Sequence, residues 1–112
     1  MRDQLVKLNS LVGWDCHFSS FDGYRLVLSS GISNEYATPL VAFLGVSYMH
    51  CPFEFSHPVF RLGSEKESLQ VEQLSTIEEG ERLFVIEAET QATLDKQLFF
   101  IVAEGLDLIG MA

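Results

Sequence analysis

The stretch WDCHFSSFDGYRLVLSS, residues 14–30, decides the fold class of this chain. Apolar and polar residues alternate from Trp14 to Phe18, which is the two-residue period of a half-buried β-strand. Asp22 and Gly23 follow, a pair that favours a two-residue type I′ turn between antiparallel strands. Apolar positions alternate again behind this turn, so residues 14–30 are predicted to form a β-hairpin.

Further strands are predicted by apolar runs beyond the hairpin. Residues 40–49 (LVAFLGVSYM) are apolar on both faces and predict a central strand, in which Gly45 marks a bulge or a close backbone approach. Two prolines bracket the segment CPFEFSHP (51–58), so it cannot form a regular central strand. The remaining predicted strands are 59–62, 83–89, 97–103 and 106–109. Loops are predicted at 29–31, 34–39 and 90–96.

Two short helices complete the predicted elements. Residues 5–12 carry apolar side chains at helical spacing before Gly13, with a strand as the alternative. Ser64 and Glu67 match a capping box, which predicts a helix over 65–74. These segments predict a mainly β protein with minor α content. We expect a single small antiparallel sheet, sandwich or half-barrel of about five or six strands, with one or two short helices.

The composition is typical of one soluble globular domain over residues 1–112. A hydrophobic content of 47% and nine Phe residues exclude a disordered chain. No run approaches the roughly 20 apolar residues that cross a bilayer. The N-terminus also lacks the basic lead and apolar run of a signal peptide. We therefore expect a cytoplasmic protein that does not bind membranes.

The formal net charge of −9 is unevenly distributed along the chain. Residues 1–62 contain four basic and five acidic side chains, whereas residues 63–112 contain three and eleven. A sequence pI near 4.6 argues against a nucleic-acid partner, because phosphate binding relies on Lys and Arg. Acidic residues keep an apolar protein soluble or attract a basic partner. The candidate acidic partner surface is Glu78, Glu79 and Glu81.

Reactive residue types cluster only in two Cys–His pairs, Cys16-His17 and His50-Cys51, with His57 six residues further on. Neighbouring residues on a strand point to opposite faces, and no CxxC or HxxxH spacing supplies a chelating pair. We therefore expect no metal and no cofactor. A disulfide between Cys16 and Cys51 is not expected in a reducing compartment, and Cys16 is expected to be a small buried hydrophobe.

No catalytic constellation is evident from the sequence. A GxSxG elbow and a glycine-rich phosphate loop are both missing, and adjacent Cys and His residues do not aim at each other. Glu87 and Glu89 share one face of a strand and could divide acid and base roles. Their alternation with apolar neighbours favours a solvent-exposed face instead. An enzyme is therefore not the favoured class.

Three functions remain as hypotheses. Strands 83–89 and 97–103 are apolar on both faces, which favours a self-associating or protein-binding module whose partner is another copy or another protein, possibly a basic one. One alternative is an acidic inhibitor or immunity-type protein that neutralises a basic enzyme. The other is a small-ligand carrier with an aromatic-lined pocket. Its pocket candidates lie where a proline-bounded loop leaves the sheet: Tyr48, His50, Cys51 and His57.

Overall fold

The computed structural model of the protein describes residues 1–31, 38–90 and 92–109, so the loop predicted at 34–39 lies mostly outside the described residues. The elements in chain order are α1 (Arg2–Leu11), β1 (Asp15–Phe21), β2 (Arg25–Ser30), β3 (Thr38–Leu44), β4 (Tyr48–His50), β5 (Glu54–Leu62), α2 (Glu65–Glu72), β6 (Arg82–Thr90), β7 (Thr93–Ala103) and β8 (Gly105–Leu108). The predicted mainly β class with two short helices is confirmed. The predicted count of five or six strands is wrong, because the described residues form eight.

The eight strands form one antiparallel sheet in the order β4-β7-β6-β5-β1-β2-β3-β8, and the chain itself joins its two ends. β3 continues into β4 after a bend at 45–47, and β7 continues into β8 after Glu104 alone. Backbone hydrogen bonds run from Ser47 N to Val102 O (3.0 Å) and from Glu104 N to Leu44 O (2.7 Å). The sheet therefore closes into a barrel of six chain segments. Two of these are bent, which accounts for the two additional strands.

The predicted hairpin at 14–30 is confirmed as β1 and β2, with its turn one residue further along. A backbone hydrogen bond from Asp22 to Arg25 closes the turn, so its central residues are Gly23 and Tyr24. Gly23 has a positive φ of 96° and Tyr24 does not, which excludes the predicted type I′ geometry. The Asp22 carboxylate accepts hydrogen bonds from the N–H groups of Tyr24 (2.9 Å) and Arg25 (2.7 Å) and thereby holds the turn.

β5 and β7 both extend further than the sequence predicted. β5 passes through Pro58 and pairs with both β1 and β6, and its register with β6 shifts between Ser56 and Val59. Such a bulge admits a proline into a central strand, since the proline then takes no part in the regular ladder. β7 begins at Thr93, inside the predicted polar loop, and extends the β6–β7 hairpin accordingly.

Helix α1 lies across one opening of the barrel. It contacts β5 and also β3 and β8, which lie on the opposite side of the closed sheet. Leu5 and Leu8 are buried in the core. The Asn9 side chain donates to the carbonyl of Phe60 (2.9 Å) and accepts from its N–H (2.8 Å), as a neighbouring strand would. The helix predicted over residues 5–12 is thus confirmed and closes this end.

The inward-facing side chains fill the barrel with aromatic rings in edge-to-face contact. The ring centroids of Phe43 and Phe84 are 5.5 Å apart, and those of Phe18 and Phe55 are 5.8 Å apart. Cys16 is fully buried among these residues, as expected from its place on the apolar stripe of β1. Six of the nine Phe side chains are therefore buried in this core.

Helix α2 covers the outer face of β6 and β7. Its predicted capping box is present, because Ser64 Oγ accepts from Glu67 N (3.2 Å) and Glu67 Oε1 accepts from Ser64 N (2.8 Å). A second apolar cluster lies beneath it: Val71, Ile77, Leu83, Val85, Val102, Tyr48 and Phe100. Val71 of α2 and Ile77 beyond it thus cover part of the second apolar face. No helix in the described part of the chain is long and apolar enough to cross a membrane.

Candidate functional site

The opening of the barrel opposite α1, here called the mouth, is built from three chain segments. The mouth lies at the end of β1, opposite the start of β1, which follows α1. Its segments are the β1–β2 turn at 21–25, the bend at 45–47 and the link 51–53, which crosses from β4 to β5. The N–H of Phe18 donates to the carbonyl of Phe53 (2.9 Å) and ties this link to β1.

The mouth contains an open, mainly apolar cavity of about 390 Å³. Its lining residues are Phe18, Phe21, Leu26, Val46, Ser47, Tyr48, Met49, Cys51 and Phe53. Phe53 is 78% exposed and Phe21 is 54% exposed, so two aromatic rings stand in water at the edge of this cavity. Exposed aromatic rings beside an apolar depression are typical of a binding surface, because a partner that covers them gains their burial.

The groups lining this cavity are poor candidates for catalysis. Burial raises the pKa of the Cys51 thiol to about 12, so the thiol is protonated at neutral pH. Ser47 and Tyr48 contribute the other polar groups, and none of the lining residues in the described part of the chain is His, Asp, Glu, Lys or Arg. A hydroxyl or thiol without an adjacent base is not activated as a nucleophile. The cavity is therefore suited to binding.

The four predicted pocket residues do not form one site. Tyr48 and Cys51 line the cavity, whereas His50 faces the outer side and, with Tyr48, borders a groove of about 220 Å³ beside α2. His57 lies near the start of β1, where its ring centroid is 5.2 Å from that of Trp14. Alternation along β4 places Met49 on the cavity side and His50 on the outer side, and Tyr48, on the same face as His50, borders both the cavity and the groove.

Phe21 and Met49 line the cavity but were not predicted as site residues. Phe21 pairs with Leu26 across the hairpin, after a register shift between Phe18 and Ser20. A strict two-residue period therefore assigns Phe21 to the wrong face. The available signal was a large aromatic residue directly before an Asp-Gly turn, where polar residues are the norm.

The paired carboxylates of β6 are engaged in separate ion pairs. Glu87 Oε2 accepts from Arg61 Nε (2.6 Å), and Glu89 Oε2 lies 3.0 Å from His57 Nδ1. Lys96 donates to the carbonyl of His57 on the same side of the barrel. The structure therefore does not direct the two carboxylates at one substrate. Among the described residues, no group of three or more His, Cys, Asp or Glu side chains is placed to hold a metal ion.

The predicted acidic surface lies in the segment between α2 and β6. Glu78 and Glu79 are exposed, and Glu81 is partly exposed. The segment folds back on itself, because Glu78 N donates to Glu81 Oε1 (2.9 Å) and Glu81 N donates to Glu78 O (3.0 Å). It offers a turn of negative charge, and none of its residues lines the cavity at the mouth.

No protein family model matches the chain, and neither a curated protein nor a solved structure matches it significantly.

Proposed function

We propose that this protein is a non-enzymatic protein-binding module whose binding site is the mouth of the barrel. One observation carries the proposal: Phe21 and Phe53 are exposed at the edge of an apolar cavity of about 390 Å³. A partner that inserts an apolar side chain into the cavity also covers both rings. Interface energy is commonly concentrated in such buried aromatic anchors.

A protein partner fits the mouth better than a small ligand does. The cavity volume falls within the range of small-molecule sites, roughly 300–1,000 Å³, so a small-ligand carrier is the second candidate. A ligand confined to the cavity, however, would leave most of the Phe53 ring in water. A protein surface extends beyond the cavity and removes both exposed rings from water at once.

We place another protein ahead of a second copy as the partner. Each copy carries a net charge of −9, so two copies repel each other at low ionic strength. An acidic inhibitor of a basic enzyme is a special case of this proposal. The predicted cytoplasmic location also belongs to the proposal, and both cysteines are free thiols, as expected in a reducing compartment.

A display selection from a random peptide library tests the proposal with a defined probe. Wild-type protein should enrich peptides that share a large apolar residue. These peptides should bind Phe53→Ser at least about 10-fold more weakly, because this is the usual effect of losing one anchor residue at an interface. Trp14→Ser is the matched control, because Trp14 is equally exposed but lies at the other end of β1, and it should bind like the wild type.

Peptides that bind wild type and Phe53→Ser equally would contradict the proposal. Light scattering on the unliganded protein shows whether the partner is a second copy of this chain or another protein. A dimer that Phe53→Ser dissociates would make the mouth a self-association site. A fluorescent apolar probe that fills the cavity and does not compete with the selected peptides would favour the small-ligand carrier.

A further inference from the structure

Three acidic residues stand around the mouth, next to the residues that line its cavity. Asp22 directly follows Phe21, and Glu54 directly follows Phe53. Glu104 lies beside the bend at 45–47, because its side chain fills the space that a Cβ on Gly45 would occupy. All three acidic residues are exposed. The apolar cavity therefore has an acidic rim, defined here as Asp22, Glu54 and Glu104.

None of the three rim carboxylates forms a direct ion pair with a described basic residue, although Arg25 lies near enough to Asp22 to attract it electrostatically. Arg25 is close to it, but its guanidinium is held by Asp107 at 2.9 Å. Glu104 Oε2 accepts a hydrogen bond from the neutral Tyr24 hydroxyl (3.1 Å). No ion pair in the described part of the chain includes a rim residue. Hydrogen bonds from the N–H groups of Arg25 and Tyr24 lower the pKa of Asp22, so it is ionised at neutral pH.

We infer that the segment bound at the mouth presents a large apolar side chain flanked by Lys or Arg. This inference rests on the proposed function and identifies the chemistry of the partner. An apolar anchor enters the cavity, and each flanking cation meets a rim carboxylate. The aliphatic part of a Lys or Arg side chain also packs on aromatic rings, and its charge is attracted to their faces. Phe21 and Phe53 supply such rings beside Asp22 and Glu54.

Electrostatics also disfavours a partner segment with acidic flanks. A segment with acidic flanks would bring like charges together at the rim, which disfavours binding and slows approach. Exposed ion pairs are individually weak, each changing affinity by about 1.5- to 5-fold. Three rim charges together should separate basic from acidic flanks by about 10-fold or more at low salt. This preference should decrease as salt screens the rim.

Three synthetic 12-residue peptides test the inference. Each has the same central Phe in a Gly-Ser frame and differs only in its flanks, which are Lys, Gln or Glu. Titration at 50 mM and 500 mM NaCl, followed by fluorescence anisotropy, gives the affinities. We expect the Lys-flanked peptide to bind about 10-fold more tightly than the Glu-flanked peptide at low salt, and a smaller difference at high salt.

Two charge-neutralising variants locate the source of this preference. Glu54→Gln combined with Glu104→Gln removes two rim charges and should reduce the preference for Lys flanks several-fold. Glu78→Gln combined with Glu79→Gln removes the same charge from the acidic turn and should leave the preference unchanged. All four positions are exposed, and thermal melting verifies that both variants fold.

The possible failures are distinguishable. Equal affinities for Lys and Glu flanks, with binding still lost in Phe53→Ser, would overturn the inference and leave the proposed function standing. Equal effects of the two double variants would also overturn it, because the preference would then come from the overall charge. No binding of the Lys-flanked peptide at 1 mM would overturn it as well. Peptide binding that Phe53→Ser does not weaken would overturn the proposed function itself.

Discussion

The attachment of α2 to the barrel depends on Glu67, and Glu67→Gln tests this directly. Arg61 on β5 donates two hydrogen bonds to the Glu67 carboxylate, from Nη1 to Oε1 (2.7 Å) and from Nη2 to Oε2 (2.8 Å). The same carboxylate accepts from the N–H of Ser64 in the capping box. Glutamine retains an acceptor for Ser64 but loses the charge that pairs with Arg61. The substitution therefore removes the charge and one of the two oxygens that accept from Arg61, while the capping box keeps its acceptor.

The pKa of Glu67 gives the scale of the effect. The hydrogen bonds from Arg61, together with the smaller effect of the Ser64 cap, lower this pKa from 4.5 to about 2, a difference that corresponds to roughly 3 kcal/mol at about 1.36 kcal/mol per pH unit. The Arg61 side chain is 35% exposed, and solvent screening weakens such pairs. We therefore expect Glu67→Gln to lower the free energy of unfolding at pH 7 by about 1–2 kcal/mol.

The pH dependence provides a second test with a defined sign. The pKa of Glu67 is lower in the folded state than in the unfolded state, so the ionised carboxylate stabilises the fold above about pH 5. This contribution is lost as the pH falls from 4.5 towards 2. Urea denaturation should therefore show a difference between Glu67→Gln and wild type at pH 7 that has largely disappeared at pH 2.5.

Glu65→Gln is the matched control for this experiment. Glu65 lies in the same first turn of α2 and is exposed, so its substitution changes the net charge and the helix-dipole interaction by the same amount. Its effect should stay within about 0.5 kcal/mol. A loss in Glu65→Gln as large as that in Glu67→Gln would refute the role of Arg61. An equal effect of Glu67→Gln at both pH values would refute the ionic mechanism.

Three further predictions address the barrel. Leu8→Ala should lower the free energy of unfolding by about 2–5 kcal/mol, because it leaves a cavity beneath α1, whereas Val6→Ala on the exposed side should change it by less than about 0.5 kcal/mol; urea denaturation measures both. Gly45→Ala should destabilise by about 1–3 kcal/mol, because its φ of 65° is strained for any residue with a Cβ, while the exposed Glu104 side chain can move away from the new methyl group; an unchanged melting temperature would contradict this. Cys16 and Cys51, whose pKa values are both raised to about 12 by burial, should resist iodoacetamide at pH 8 until the protein unfolds; mass spectrometry of the native protein would detect early labelling.

Local patterns predicted the elements of this fold well. The hairpin at 14–30 and the capping box of α2 depend on neighbours within a few residues, and both are confirmed. The closure of the barrel was not predicted, because it depends on pairing between segments distant in sequence. Gly45 was singled out for a bulge or a close approach. The structure places a bend there, between β3 and β4, and the close approach is made by the Glu104 side chain and not by a backbone segment.

The candidate site was predicted less completely than the fold. Its cavity is assembled from three segments that meet only because the barrel closes, and sequence proximity selected residues around 48–57 alone. Of these residues, Tyr48 and Cys51 line the cavity. His57 lies at the bulge of β5, in another part of the barrel. Phe21 was not predicted to face the cavity, because the register shift in β1 reverses the face on which its side chain lies. Bulges of this kind have no reliable signature in a single sequence.

The closing seam of the barrel also constrains how the chain folds. Val41 pairs with Leu108, and Leu44 pairs with Gly105, so the seam joins residues more than sixty positions apart. Its closure is therefore entropically costly and slow. Until it forms, the unpaired edge of β3 is open to residues 105–108 of any neighbouring chain. Refolding at high concentration should therefore exchange this segment between molecules and produce domain-swapped dimers, whereas dilute refolding returns the monomeric barrel.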